Sequence, residues 1–437
     1  MSETGYSAID LFCGAGGFSE GLSWAGFDVI WATDSDEKAT QTYAHNHPET
    51  RVHTGDITAA EFPELGLEKP LDLVAGGPPC PTFSVIGRAK LNSLEGRDST
   101  SDERHQLWQD FVRAVGYYSP RAFVMENVEG MASAENDAGH RVLPYILEKL
   151  RNQGYRVDWT VVDAADFGVP QRRKRLFIIG NRENKPNPDL TQWQTHREPV
   201  NSHEKIARLL SHRSTDADQQ TLGEFVESDS EKSGTELDIP STTGREAWET
   251  VAEAILDLPP LSPAGNNSHG PENSHPPSET TEYQIPALTS YQRWARNIPE
   301  NGNWENQPLY NHSARFHNMT DLSLYKALSG ATGWTIQELG EELQPYRSDI
   351  FTDNYTKQAP GEPASTIDAH IHKDGHRHIH PTEARSLTVR EAARLQSFRD
   401  TYEFPMNRTA AYKQVGNAVP PLLAKRIGQA ICETILE

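Results

Sequence analysis

"DLFCGAGGFSEG", residues 10–21, decides how this chain is read. The apolar run "YSAIDLF" (6–12) enters it, and a helical pattern through "LSWAGF" (22–27) leaves it. A strand that meets glycines and then a helix is the first turn of a βα unit. It lets backbone amides approach a ligand at the strand's carboxyl end. Gly14 and Gly16 fit a dinucleotide fingerprint, but Ser19 stands where its third glycine would be. The alternative is a tight turn that needs glycine for geometry alone.

The same alternation continues outward. "DVIWATD" (28–34), "LDLVAGG" (71–77), "RAFVMEN" (121–127), "YRVDWTVVDA" (155–164) and "RKRLFIIG" (173–180) read as strands. "EKATQTYAHNH" (37–47), "LWQDFVRAVGYY" (107–118) and "VLPYILEKLRNQG" (142–154) read as helices. Strands separated by helices predict an α/β fold: a doubly wound, mostly parallel sheet with helices on both faces. After about residue 185 the texture turns irregular. "VESDSEKSGTELDIPSTTG" (226–244) and "LPPLSPAGNNSHGPENSHPPSETTE" (258–282) have the composition of surface loops or partly disordered linkers. "LTVREAARLQSF" (387–398) restores a helical pattern. "QVGNAVPP" (414–421) reads as a glycine–proline turn before a last amphipathic helix.

A chain of 437 residues with no apolar stretch of membrane-spanning length predicts two domains and a cytoplasmic location. Three cysteines, Cys13, Cys80 and Cys432, make no disulfide framework and no CxxC pair, so no structural zinc is expected from them. The formal net charge of −21 argues at first against a nucleic-acid partner. The acid is spread widely, however, and the balance resembles proteins adapted to concentrated salt. At molar salt the Debye length falls to about 3 Å, so global charge repels little. "QRRKR" (171–175) is a local basic cluster.

"GGPPCPTFS" (76–84) holds Cys80 in a stretch that can form neither regular helix nor central strand. Read alone it is either a buried loop thiol or a rigidly held nucleophile. Asp34 ends the second strand, where it suits ribose hydroxyls or a helix N-cap. Asp56 in "TGDI" follows a third short extended segment, and suits the adenine edge of a nucleoside or is a plain loop aspartate. Glu126 is an acid/base candidate or a carboxylate satisfying backbone amides. The arginines of 172–175 are functional or a solvated basic run.

Six blocks in order, "DLFCGAGGFSEGL", "GGPPCPTFS", "MENVEGM", "VPQRRKRLFIIG", "RSLTVREAARLQSF" and "QVGNAVPP", resemble those of the cytosine-5 DNA methyltransferases of restriction–modification type. The resemblance covers roughly the first 185 and last 60 residues. It implies S-adenosyl-L-methionine as cofactor, held by Phe12, Cys13, Gly14, Ala15, Gly16, Gly17, Asp34, Asp56, Ile57, Pro78 and Asn417. It implies Cys80 as the nucleophile, Glu126 as the residue at the cytosine ring nitrogen and amino group, and Arg173 and Arg175 as the groups that position Glu126 and the base oxygen. Ser84, Arg104 and Gln171 would touch DNA, with Arg104 on phosphate and its loop closing over a flipped-out base. The catalytic domain would be 1–185 and 405–437, and the polar stretch 186–404 a target-recognition region. Duplex DNA is the implied partner, with a separately encoded restriction endonuclease as an optional one, and a monomer is expected. Pro81 departs from the family, which places glutamine there. A tRNA enzyme of the same chemistry, a catalytically silent DNA-binding protein and a nicotinamide dehydrogenase are the competing readings. "IDAHIHKDGHRHIHP" (367–381) carries five histidines; its alternation suggests a solvated or DNA-facing hairpin, and no metal site is expected.

Overall fold

The computed structural model describes residues 5–60, 62, 71–79, 107–135, 139–198, 245–262, 264–266, 279–299, 307–329, 333–340, 355–373 and 375–437. Cys80, Pro81, Ser84 and Arg104 lie outside them. The chain divides into two compact units. The first comprises Met1–Phe167, Lys174–Gln194 and Ala418–Glu437; the second comprises Gly168–Arg173 and Thr195–Asn417.

The first unit is built on a seven-stranded sheet. Its strands are β1 (Tyr6–Leu11), β2 (Phe27–Asp34), β3 (Arg51–Thr54), β4 (Leu73–Gly76), β5 (Ala122–Val128), β6 (Arg156–Asp163) and β7 (Lys174–Asn181). They lie in the order β3-β2-β1-β4-β5-β7-β6. β1 to β5 are parallel, with Ile9 opposite Trp31 on one side and Val74 on the other. β7 runs antiparallel to both β5 and β6. The reason lies in the connection: residues 164–173 between β6 and β7 hold a short 3₁₀ turn and no crossover helix, which parallel strands require. The fold is α/β and mostly parallel, as the alternation predicts. β4 is buried along its whole length, as in sheets covered on both faces.

Helices α1 (Gly17–Trp24), α2 (Glu37–Asn46), α3 (Leu107–Tyr118) and α4 (Val142–Asn152) follow β1, β2, β4 and β5 in the chain. The apolar stripes of α3 and α4 pack with Ile9, Val74, Phe123 and Ile178 of the sheet in one core. α1 packs against a C-terminal helix, Pro421–Ile431, where Gly21 lies so close to Pro421 and Ala424 that a Cβ would be 2.3 Å from the Pro421 carbonyl oxygen. α2 begins at Asp36, whose carboxylate accepts from the amides of Lys38 and Ala39.

The second unit has short helices and two-stranded pieces. α5 (Val251–Ile255), α6 (Ser290–Ala295), α7 (Met319–Ala327), α8 (Val389–Leu395) and α9 (Arg408–Asn417) belong to it; the C-terminal helix of the first unit is α10. β8 (His196–Arg197) pairs with β9 (Glu246–Ala247), and β10 (Ala264–Asn266) with β11 (Phe316–Asn318). α8 is the helix expected in "LTVREAARLQSF", capped by a Thr388–Glu391 capping box, but all seven residues are buried. Buried arginines in and around it are paired. Arg394 bonds Asp257 and Asp400, Arg296 meets Asp257 at 2.6 Å, and Arg385 spans Glu383 (2.8 Å) and Glu391 (2.7 Å).

Two sequence expectations change here. "QVGN" is not a turn: residues 414–417 close helix α9, and Gly416 is helical where the Asp368 backbone leaves no room for a Cβ. The histidine-rich stretch is not a solvated hairpin. Ala369–His372 form a 3₁₀ turn, Ile379 bridges both Lys357 and Ser386, and His378 and His380 are buried. Burial of Ile371 and Ile379 pulls the segment into the unit. Among the described residues no helix is long and apolar enough to cross a membrane.

Candidate active site

Strand order reverses between β1 and β4, so the carboxyl ends of these strands bound a crevice. The glycine loop leaves β1 there. Phe12, Gly14 and Gly16 have φ of 59°, 54° and 95°, and a Cβ on Gly14 would meet nothing within 4 Å. This is a backbone cradle with open space above it, and it opens the N-terminus of α1. The amide of Cys13 donates to the Thr33 carbonyl (3.0 Å), and that of Gly14 to Asp34 Oδ2 (2.9 Å). Asp34 also accepts from the Asp36 amide (2.8 Å), so it ties the loop to the end of β2, while Asp36 is the N-cap. Burial raises the Asp34 carboxyl above its ordinary range. Asp56 follows β3 and caps a 3₁₀ turn that starts at the buried Ile57. Gly77 and Pro78 follow β4. Thus Phe12 to Gly17, Asp34, Asp56, Ile57 and Pro78 all stand at or just beyond the carboxyl ends of four adjacent parallel strands.

β5 brings the acid. Glu126 Oε1 meets Arg175 Nε of β7 at 2.9 Å, with both side chains largely buried. A Cβ on Gly77 would come within 3.0 Å of Glu126 Oε2, so glycine there leaves the carboxylate its space. The next residue, Asn127, is buried and donates to the Pro78 carbonyl (3.0 Å), while its oxygen accepts from the Val128 amide (2.9 Å). That bond anchors the chain two residues before Cys80 to the strand that carries Glu126. Two thiols, Cys13 and Cys432, lie among the described residues. Burial, then Asp10 and Asp34, push the Cys13 thiol well above its ordinary value; burial pushes Cys432 up to about 12. Both stay protonated and unreactive near neutral pH.

A family model for C-5 cytosine-specific DNA methylase matches residues 6–433. The chain belongs to that family. Type II methyltransferase M.DdeI of Desulfomicrobium norvegicum is 32% identical, over 97% of this chain and 88% of that protein. Type II methyltransferase M.AgeI of Thalassovita gelatinovora is 31% identical, over 98% of each. In fold, the chain is similar to an Escherichia coli prophage chain assigned as a DNA modification methyltransferase, with a TM-score of 0.64 at 22% identity, covering 99% of this chain and 100% of that one. The molecule is accordingly a DNA (cytosine-5)-methyltransferase.

Three expected site residues of the methyltransferase lie in the second unit. Gln171 is wholly buried; its amide donates to Leu395 O (3.0 Å) and Gln396 Oε1 (2.9 Å) and accepts from the Ile367 amide (2.8 Å). Arg173 is buried and donates to the carbonyls of Ile367 (2.8 Å) and Gly416 (3.2 Å). Asn417 is exposed at the end of α9. The sequence reading missed Asn127, although it stands beside Glu126: side chains alternate faces along a strand, so the neighbour of a site residue reads as pointing away. It also missed Asp10. Buried at the end of β1, Asp10 accepts from Ser19 Oγ (2.6 Å), which accepts from Tyr43 Oη (2.7 Å). Its Oδ1 has no hydrogen-bond partner among the described residues, and burial, opposed by the Ser19 bond, pushes the carboxyl up to about 7.

Proposed function

We propose that the methyltransferase transfers the methyl group of S-adenosyl-L-methionine to carbon 5 of a cytosine flipped out of a specific duplex DNA sequence, through a covalent bond to Cys80. The observation that carries this is the Glu126–Arg175 pair, joined through Asn127 to Pro78 two residues before Cys80. A carboxylate paired with a cation, on a strand tied to the segment that leads into the proline-flanked Cys80, suits addition to a pyrimidine ring.

The residues that would hold the cofactor are Phe12 to Gly17, Asp34, Asp56, Ile57, Pro78 and Asn417. The left-handed backbone at Phe12, Gly14 and Gly16 is a cradle that side chains would fill, which fits a nucleoside-bearing ligand. When bound, S-adenosyl-L-methionine supplies an electrophilic methyl group. The Cys80 thiolate forms a bond to carbon 6, and the ring electrons move to carbon 5, which becomes nucleophilic. Glu126 faces the ring nitrogen and amino group and disperses the charge that develops there. Arg175 holds Glu126 in place. Once carbon 5 carries the methyl group, loss of its proton and departure of the thiolate restore the ring. The base must leave the stack first, because neither face is open in a duplex; that costs a few kcal/mol, which contacts to DNA offset.

Ser84 and Arg104 are proposed DNA contacts, with Arg104 on phosphate and its loop closing over the base. Gln171 and Arg173 contribute by holding the backbone at 367, 395 and 416, next to Asn417. Residues 1–185 and 405–437 are proposed as the catalytic part and 186–404 as the target-recognition part. A cytoplasmic monomer adapted to concentrated salt completes the reading, with a separately encoded endonuclease as an optional partner.

The test is transfer of labelled methyl groups from the cofactor to duplex DNA or tRNA in high salt. Cys80→Ala lowers transfer to DNA by roughly 10,000-fold or more while DNA binding remains. Methylation that survives this change, or label found in tRNA alone, overturns the proposal.

A further inference from the structure

We propose that Arg113 is a positioning residue for the cofactor's adenine: from helix α3 it holds the turn that carries Asp56 and Ile57, and so sets the preference for a 6-aminopurine. The inference rests on the assignment of that turn to the cofactor. It adds a residue from outside the glycine loop and the strand ends.

The turn is weak by itself. It follows β3, the four-residue strand at one edge of the sheet. Its 3₁₀ segment is three residues long, Ile57–Ala59, and Asp56 caps it by accepting from the Thr58 amide at 2.9 Å. Turns this short have poor hydrogen-bond geometry and leave carbonyls over. The Ala60 amide reaches the Ile57 carbonyl at 3.1 Å. Further donors come from a residue more than 50 positions on in the chain. Arg113 Nη1 donates to the Ala60 carbonyl at 3.0 Å, and Nη2 to the Ile57 carbonyl at 2.6 Å. One guanidinium thus bridges both ends of the turn.

The guanidinium is itself held in place. Asp110, one turn earlier on α3, accepts from Nε at 3.3 Å and from Nη2 at 3.1 Å. The Phe62 ring lies against it, with Cζ 4.5 Å from the centroid. Phe62 and Ile57 are buried in the same core as Phe111 and Val115 of α3. Asp56 stands near the same pair: burial raises the Asp110 carboxyl, Arg113 opposes the rise, and Asp56 adds to it. Arg113 therefore fixes the backbone of the turn and brings positive charge toward the Asp56 carboxylate. A lysine ammonium is a single point with no fork to span two carbonyls.

The consequence is chemical. A carboxylate accepts from the exocyclic amino group of adenine. Hypoxanthine presents an oxygen at that position, which a carboxylate repels. Displacing the turn weakens the first contact and relieves the second. Arg113 therefore acts on base selectivity without touching the reacting methyl group. A merely structural role would lower stability and leave the selectivity alone.

Calorimetry on the full-length protein in high salt tests this with S-adenosylhomocysteine and its inosine counterpart. The wild type binds the adenine compound about 10-fold or more tightly than the hypoxanthine one. In Arg113→Ala that ratio falls by at least about threefold. Arg113→Lys, which keeps the charge and the stem over Phe62, shows a smaller fall and serves if the alanine variant is too unstable to measure. In an Asp56→Ala background, Arg113→Ala changes the ratio no further, because its effect passes through Asp56. A wild type that binds neither compound, or both alike, sinks the assignment of the turn to adenine and this inference with it. Intact selectivity in the wild type and an unchanged ratio in both Arg113 variants sinks this inference alone.

Discussion

Phe123, Val124 and Met125 in the middle of β5 are no more accessible than Arg385, Arg390 and Arg394 in and beside α8. The two units bury their chain by different means. In the first, the centre of the sheet is apolar, and removing it from water is itself favourable at roughly 25 cal/mol per Å². In the second, guanidinium groups are taken out of water and must each find a partner: Asp257 and Asp400 for Arg394, Glu383 and Glu391 for Arg385, main-chain carbonyls for Arg390. Apolar contacts tolerate imperfect neighbours. Buried charges do not, so the irregular unit depends on a few specific pairs.

Removing one partner separates the two designs most sharply. Arg394→Met leaves two buried carboxylates with reduced compensation and costs about 3–5 kcal/mol. Urea unfolding followed by tryptophan fluorescence reads the loss. A cost below about 1 kcal/mol would mean that apolar contacts hold the second unit after all. The pH dependence of the pair follows. The Arg394 guanidinium, then Arg390, hold Asp400 below its ordinary value despite burial. Its contribution is therefore present above about pH 4 and is lost as pH falls further through the folded value.

Asp10 gives the opposite sign in the first unit. Burial pushes its carboxyl up to about 7 in the fold, from an ordinary 3.8. The folded chain binds the extra proton between those values, so stability falls as pH rises from about 4 to 7. Asp10→Asn removes that slope and makes the first unit more stable at pH 8 by roughly 4 kcal/mol at most. Hydrogen exchange of β1 and β4 amides at pH 5 and pH 8 measures it. An unchanged pH slope in the variant would assign the dependence elsewhere.

The smallest effect is one on which the units agree. Asp36→Ala removes the cap of α2, and Thr250→Ala removes a capping-box residue of α5. Each costs about 1 kcal/mol. Thermal melts that gave a much larger loss for Thr250 would show that its buried bond to Glu253 matters beyond capping.

Legibility in the sequence followed the same division. The strands of the first unit were readable because β-branched and aromatic runs are bounded by glycine and helical patterns. β3, four residues with exposed ends, was visible only as a short extended segment before "TGDI". Of the candidate site, the loop at 12–17 was readable; of the two arginines that the resemblance assigned to Glu126, Arg175 meets it, while Arg173 donates to the carbonyls of Ile367 and Gly416. Asn127, Asp10 and the buried fate of Gln171 were not readable, because polar residues announce chemistry and not whether a backbone carbonyl or a ligand will satisfy it. In the second unit, "LTVREAARLQSF" showed a helix, but nothing in the pattern said what its arginines would meet. Their carboxylate partners lie elsewhere in the chain, at Asp257 for example, and no local period reports them.

The sequence by itself determined the βα alternation, the glycine turn at the end of β1 and the family, since local periodicity and ordered motifs are properties of neighbouring residues. Only the tertiary structure decided that β7 runs antiparallel, that "QVGN" is helical and that Gln171 is buried against Leu395, Gln396 and Ile367. These depend on strand pairing, close packing and side-chain approach between distant segments, and burial there is settled by whichever partner the fold brings near.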